Sequence, residues 1–155
     1  MQTSLDLRLA RHGAIVLLLG LLTGFVIRGF HNPNAGNAAH LVGLIGGFGM
    51  MALGLLWPRL QLGRSWSSVG AWTMVASLYL NWLGCILLGA FGSGPNAGTT
   101  PPDSLLFWDR AGHITLAIGA WLSLLATLVI LAGLRKPTAL TRPEDVPLAV
   151  YPGGN

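Results

Sequence analysis

An all-α integral membrane protein, a bundle of four spanning helices, is the fold class this sequence predicts. Three observations predict it. Four apolar stretches, at about 13–30, 41–57, 69–91 and 114–134, carry almost no charge. Each is near the length a helix needs to cross roughly 30 Å of hydrocarbon at about 1.5 Å per residue. Hydrophobic residues make up 52% of the 155-residue chain and charged residues only 9%, whereas soluble domains carry about 25%. The mean hydropathy is +0.62, and so much chain spent on spans leaves no length for a separate soluble domain.

The elements follow in order. Arg8 and Arg11 precede the first stretch, an arrangement that also suits a cleaved signal peptide. Arg28, aromatic residues and Pro33 intervene before any small-residue cleavage site, so the stretch reads as a retained span. A short loop, Asn32–Ala39, leads to a second span that opens at His40 and continues through Gly43, Gly46, Gly47 and Gly49. The third span contains Ser77, Tyr79, Asn81 and Cys85. A long loop over 92–112, with Pro95, Pro101 and Pro102, precedes a fourth span that opens at His113. The membrane domain is thus 1–136. The remainder, 137–155, has four prolines and reads as a poorly ordered tail. Trp57, Trp66, Trp82, Trp108 and Trp121 include several at span ends, where indole prefers the headgroup region.

The charge is +4 and the isoelectric point about 10.2, but the basic residues form no cluster that would bind nucleic acid. They report topology instead. Arg8, Arg11, Arg59, Arg64, Arg135, Lys136 and Arg142 fall on one side, and only Arg28 and Arg110 on the other. The positive-inside rule then puts both termini in the cytoplasm, with the chain a multi-pass protein of the inner membrane, its surroundings lipid. No Asp, Glu or Lys lies within a span, which argues against a proton-coupled exporter, and no span-length repeat suggests a transporter. A single cysteine, Cys85, forms no intramolecular disulfide.

Polar groups inside a bilayer are costly and carry most of the functional information. His40, Gly43 and Gly47 share a helical face, so an imidazole is followed by a groove without side chains. Such a groove admits a neighbouring helix, Gly43 and Gly47 forming one Gly-x-x-x-Gly pair and Gly20 and Gly24 another, or a flat prosthetic group held through His40. Asn81 needs a partner, either across a helix interface or in a cavity, and Cys85 lies one turn beyond it. Tyr79 suits an interior hydrogen bond or an interface anchor. His40 and His113, at the same side of the membrane, are placed to bracket one iron, although the spacing does not demand it.

Several segments resemble the small four-span family of hydroxylaminobenzene mutases and styrene oxide isomerases. They are Arg11-His12-Gly13 leading into the Leu-rich run at 17–25, Asn32-Pro33 with Ala39-His40-Leu41-Val42-Gly43-Leu44, Gly54-Leu55-Leu56-Trp57-Pro58, and Asn81-Trp82 with residues 87–92. The resemblance covers roughly 11–94, and the Gly-Leu-Leu-Thr-Gly and Asn-Trp segments are closer to the mutase branch. It implies a homotrimer with haem b between protomers and His40 as the axial ligand to iron. It also implies a redox-neutral isomerisation of a small apolar aromatic substrate, with ferric iron as Lewis acid. The substrate is an aryl hydroxylamine giving an aminophenol, or an aryl epoxide giving an aldehyde. Gly43, Gly46 and Gly47 would make room for porphyrin or substrate, and Asn81 is the candidate for orienting the substrate, with Tyr79 and Cys85 as further catalytic candidates. The family's acidic residue two positions after the histidine is replaced here by Val42. The Asn-Gly pair that members carry as the alternative, six and seven after it, is replaced by Gly46 and Gly47, and the tyrosine implicated in isomerases one turn after Asn81 by Cys85. These departures favour the aryl hydroxylamine over the epoxide. Two other readings stand beside it: a haem protein without isomerase activity, such as a sensor or electron carrier, and a cofactor-free structural subunit.

Overall fold

A computed structural model describes residues 3–92 and 106–134. Four long helices account for nearly all of them: α1 (Thr3–Val26), α2 (Pro33–Leu56), α3 (Arg64–Phe91) and α4 (Leu106–Gly133). Each is long and apolar enough to cross a membrane, so this is a multi-pass membrane bundle. Four crossings put the start of α1 and the end of α4 on the same side. The tail at 137–155 and the prolines at 95, 101 and 102 lie outside the described residues.

The helices run further than the apolar stretches. Asn32–Ala39, expected as a loop, forms the tip of the turn at Asn32 and then the first two turns of α2. Asn32 caps that helix, its side-chain oxygen accepting from the Ala35 N–H at 3.3 Å, with Pro33 in the first turn. An N-cap followed by proline satisfies and pre-orders the first turn, so the helix begins before the hydrophobic run does. His40 is therefore two turns inside α2 and not at its mouth. Likewise α1 already contains Arg8 and Arg11, and α4 begins at Leu106, well before His113.

Packing is serial. α1 lies along α2 and α3 along α4, and the two hairpins join mainly through α2 and α3; α1 touches α3 lightly, and α4 rests essentially on α3 alone. Glycines set both close seams. A Cβ on Gly20 would stand 2.8 Å from the Gly43 Cα, and one on Gly47 would stand 2.7 Å from the Leu17 nitrogen. On the other hairpin, a Cβ on Gly84 would meet Leu116 and one on Gly119 would meet Asn81, at 2.7 and 2.9 Å. In hydrocarbon the drive for association is packing rather than expulsion of water, and side-chain-free stripes let backbones come close enough for it.

The main core joins α1, α2 and α3 around Leu9, Val16, Met50, Trp57, Ala71, Val75 and Leu78. Trp57, expected among the headgroup indoles, is only 2% exposed, and its Nε1–H donates to the Ser67 Oγ at 2.9 Å. Trp82 is also turned inward, donating to the Thr23 Oγ1 at 3.2 Å. Trp66, Trp108 and Trp121 stay on the surface, the first two near helix ends and Trp121 midway along α4. Trp57→Ala should therefore behave as a core truncation, lowering stability in a mixed-micelle unfolding titration by about 3 kcal/mol. A change near zero would return this indole to the lipid interface.

Candidate functional site

The polar candidates fall into three places that a single protomer keeps apart. The first is the α1–α2 seam. His40 projects from α2 towards α1, where its Nδ1 lies 2.8 Å from the Gly20 carbonyl oxygen. A carbonyl only accepts, so Nδ1 carries the proton and Nε2 is the basic nitrogen. Among the described residues Nε2 has no hydrogen-bond partner, and the half-buried ring leaves it accessible. The ring lies against Gly24, whose absent Cβ would stand 2.9 Å from both Nδ1 and Cε1. Gly43 and Gly47 share the face of His40, as the spacing predicts. The room beside them is filled by the α1 backbone, however, and both are buried. Within the protomer they serve helix packing, leaving no gap for a porphyrin or a substrate.

The second place is a cleft of about 360 Å³ between α2, α3 and α4. It exists because α4 rests on α3 and leaves the neighbouring face of α2 uncovered. Leu41, Val42, Ile45 and Gly46 line it from α2, Met74, Ser77, Leu78 and Asn81 from α3, and Ser123 and Thr127 from α4. No lining residue is ionisable. Gly46 faces Leu78, and its missing side chain belongs to this cleft rather than to the seam of Gly43 and Gly47. Asn81 donates from Nδ2 to the Ser123 Oγ at 3.2 Å, with Gly119 packed against its amide. Ser77 and Thr127 return their hydroxyls to the Met74 and Ser123 carbonyls, each at 2.8 Å. Cys85 is buried one turn beyond Asn81.

The third place lies between α1 and α3. The Tyr79 hydroxyl is 3.2 Å from the His12 Nδ1, and the His12 ring stands edge-on to both Tyr79 and Trp72. Tyr79 thus points towards α1, about 200° around α3 from Asn81 at 100° per residue, and away from the cleft. Sequence reading missed this use of His12, although its position one turn after Arg8 hinted at a polar group near the membrane edge. It also missed Gly24 as a neighbour of His40 and Ser123 as the partner of Asn81. Those pairings depend on helix rotation, which no local spacing encodes. His113, considered as a second iron ligand, is 60% exposed on α4, with its Nδ1–H donating to the Asp109 carbonyl at 2.9 Å. Since α4 packs on α3 and not on α2, the two histidines are not brought together within the protomer.

One imidazole, with its proton at Nδ1, therefore turns Nε2 outward from the seam, and an apolar cleft with one amide–hydroxyl pair lies on another face of the same helix. Among the described residues no group of three His, Cys, Asp or Glu side chains is placed to cage a bare metal ion.

Comparison with known proteins bears on the same elements. Residues 5–135, all four helices, match the family model described as styrene oxide isomerase. Hydroxylaminobenzene mutase HabB of Ectopseudomonas oleovorans is 41% identical over 87 residues, covering 56% of this chain and 53% of HabB. Hydroxylaminobenzene mutase HabA of the same organism is 39% identical over 82 residues, 53% of this chain and 61% of HabA. The chain thus aligns with between half and two thirds of the length of these curated relatives. No solved structure matches it. With the family model matched across the whole described bundle, the chain belongs to the styrene oxide isomerase family.

Proposed function

We propose that this chain is a haem b-dependent intramolecular isomerase of the inner membrane, converting an aryl hydroxylamine to an aminophenol. The stretches of about 40% identity to two hydroxylaminobenzene mutases support the reaction class. The observation that carries the cofactor reading is His40, whose Nδ1–H is held by the Gly20 carbonyl and whose Nε2 has no hydrogen-bond partner among the described residues. A metal-binding histidine is commonly oriented in this way by a hydrogen bond from its other nitrogen. One such donor is too few for a bare metal ion but suits a prosthetic group that brings its own remaining ligands.

Bound there, ferric haem supplies a Lewis-acid site for the hydroxylamine oxygen. The protein's residues do the rest. His40 would hold the group through Nε2, its ring fixed by the Nδ1–H bond to the Gly20 carbonyl. Exposed Phe48 of α2 offers an apolar surface that would take the aryl ring and keep water from a cationic species. The rearrangement is redox-neutral: the N–O bond breaks, a ring C–O bond forms, and the ring proton returns to nitrogen. No external reductant is required. Asn81 remains the group proposed to orient substrate, through the side-chain oxygen that its bond to Ser123 leaves unused. Because the cleft that Asn81 lines from α3 and the seam that holds His40 lie on different sides of α2, this role requires a second protomer. The homotrimer is therefore part of the proposal, the uncovered face of one α2 being closed by the next copy. Both termini are assigned to the cytoplasm by the arginine distribution.

The test is made on the detergent-purified protein expressed with ample haem. The expected result is a Soret band, a trimeric mass by native mass spectrometry, and conversion of hydroxylaminobenzene to aminophenol without added redox partner. A folded protein with no Soret band would sink the haem reading. A Soret band with turnover of aryl epoxides only would move the chain to the isomerase branch. A low-spin spectrum without turnover of either substrate would instead support an electron carrier.

A further inference from the structure

The contact between His40 and α1 goes beyond the identity of the ligand. Two features of one stretch of α1 act on a single ring, and a third ties that stretch to α3. The Gly20 carbonyl receives the Nδ1–H at 2.8 Å. Gly24, one turn later on the same face, leaves the space in which the ring lies, since a Cβ there would stand 2.9 Å from Nδ1 and from Cε1. Between them, Thr23 ties this turn to α3: its Oγ1 donates to the Leu19 carbonyl at 2.8 Å and accepts the Trp82 Nε1–H at 3.2 Å. The carbonyls of two successive residues, Leu19 and Gly20, are thus engaged by side chains, one from α1 itself and one from α2. Gly24 differs from Gly20, Gly43 and Gly47, whose missing side chains admit backbone. At Gly24 what fills the space is the imidazole.

We infer that Gly24 is a positioning residue for His40: the cradle formed by its bare Cα and the Gly20 carbonyl selects the Nδ1–H tautomer and aims Nε2 outward as a ligand. The assignment of a prosthetic group rests on the proposed function, whereas the cradle itself does not. A Cβ at 24 falls inside ordinary contact distance of the ring, so the imidazole must tilt or withdraw. Tilting lengthens the bond to Gly20, and with it goes the preference for the proton at Nδ1. Disturbing such an orienting contact commonly lowers metal affinity about 10- to 100-fold.

Gly24→Ala decides it, beside Gly49→Ala as control, because a Cβ at Gly49 meets nothing within 4 Å. Two readouts are taken. The first is ¹⁵N NMR of the haem-free full-length chain with ring-labelled histidine, the His40 signal being assigned by its loss in His40→Ala. Wild type and Gly49→Ala should show the Nδ1–H tautomer, and Gly24→Ala should lose that strong preference. The second is the Soret maximum and the rate of haem loss to a scavenger protein. Gly24→Ala should shift the band and release haem about 10- to 100-fold faster, with helix content and melting temperature matching Gly49→Ala. An unchanged tautomer in Gly24→Ala overturns the cradle. An altered tautomer with haem retention equal to the control overturns the claim that the cradle matters for ligation. If wild type shows the tautomer but binds no haem, the haem reading fails and the ligand-positioning role fails with it, while the imidazole cradle stands. If Gly24→Ala does not fold, Gly24→Ser and Thr23→Val are compared by the same NMR signature. Loss of the tautomer in folded Gly24→Ser supports the cradle, and its persistence overturns it. In Thr23→Val the ring contacts are left in place, so the tautomer should survive.

Discussion

His40→Ala should abolish the Soret band and mutase turnover together, while the purified protein keeps its helix content. The ring is only half buried, and it contributes one hydrogen bond to the α1–α2 seam, through Nδ1 to the Gly20 carbonyl. Losing such a bond costs about 1 kcal/mol, small against a stability of roughly 5–15 kcal/mol for a typical domain. Loss of the imidazole, by contrast, would remove the group proposed to hold the haem. The expected loss of activity is at least about 10³-fold, the scale on which removing a directly acting group is felt. The measurement is an absorption spectrum and a hydroxylaminobenzene assay on wild type and variant prepared side by side. Free imidazole, added to the variant, should restore part of the band by entering the vacated space. A variant with an undiminished Soret band and full turnover would remove His40 from the site altogether.

Gly43→Leu should have the largest effect on folding. A Cβ at this position collides with the Gly20 Cα and stands 2.8 Å from the Gly20 nitrogen. These are backbone atoms of a packed helix and cannot swing aside as the end of a side chain does. Overpacking a core commonly costs 1–3 kcal/mol, and here a whole isobutyl group must be accommodated between two backbones. A loss of about 3 kcal/mol or more is expected, enough to turn a single size-exclusion peak into aggregate. Gly49→Leu, where an added Cβ meets open space, should stay within about 0.5 kcal/mol of wild type. Gly46→Leu should fall between them, because the nearest atom is the flexible end of Leu78. Equal melting temperatures for Gly43→Leu and Gly49→Leu would mean that the two helices are further apart than described.

The glycines show how far spacing can be read. Gly20, Gly24, Gly43 and Gly47 were recognisable as paired small positions, and a shared face for His40, Gly43 and Gly47 follows from helical periodicity alone. Whether that face meets another helix or a planar group is not periodic information. α1 fills it, because the turn at 30–32 is short and lays the two helices side by side. Gly46 looks like its neighbours in sequence, yet it sits on the cleft side because one residue is 100° of rotation. Asn81 and Tyr79 are two residues apart and open onto different sides of α3. The start of α2 was legible in principle: Asn32-Pro33 is a start signal, but the polar residues between it and His40 resembled a loop.

What the sequence by itself determined is the solvent and the count of helices. About half the chain is apolar and nearly uncharged in continuous runs of helix-spanning length, and a helix satisfies the backbone of such a run within itself in hydrocarbon. The family was legible too, in short runs around His40 and Asn81. Only the tertiary structure decided the tautomer of His40, the pairing of Asn81 with Ser123, the inward turn of Trp57, and the cleft left by α4. Each depends on how one helix is rotated and offset against another. That choice is made by close contacts between residues distant in the chain, whereas the hydrophobic pattern of a membrane helix, apolar nearly all round, specifies no inner face.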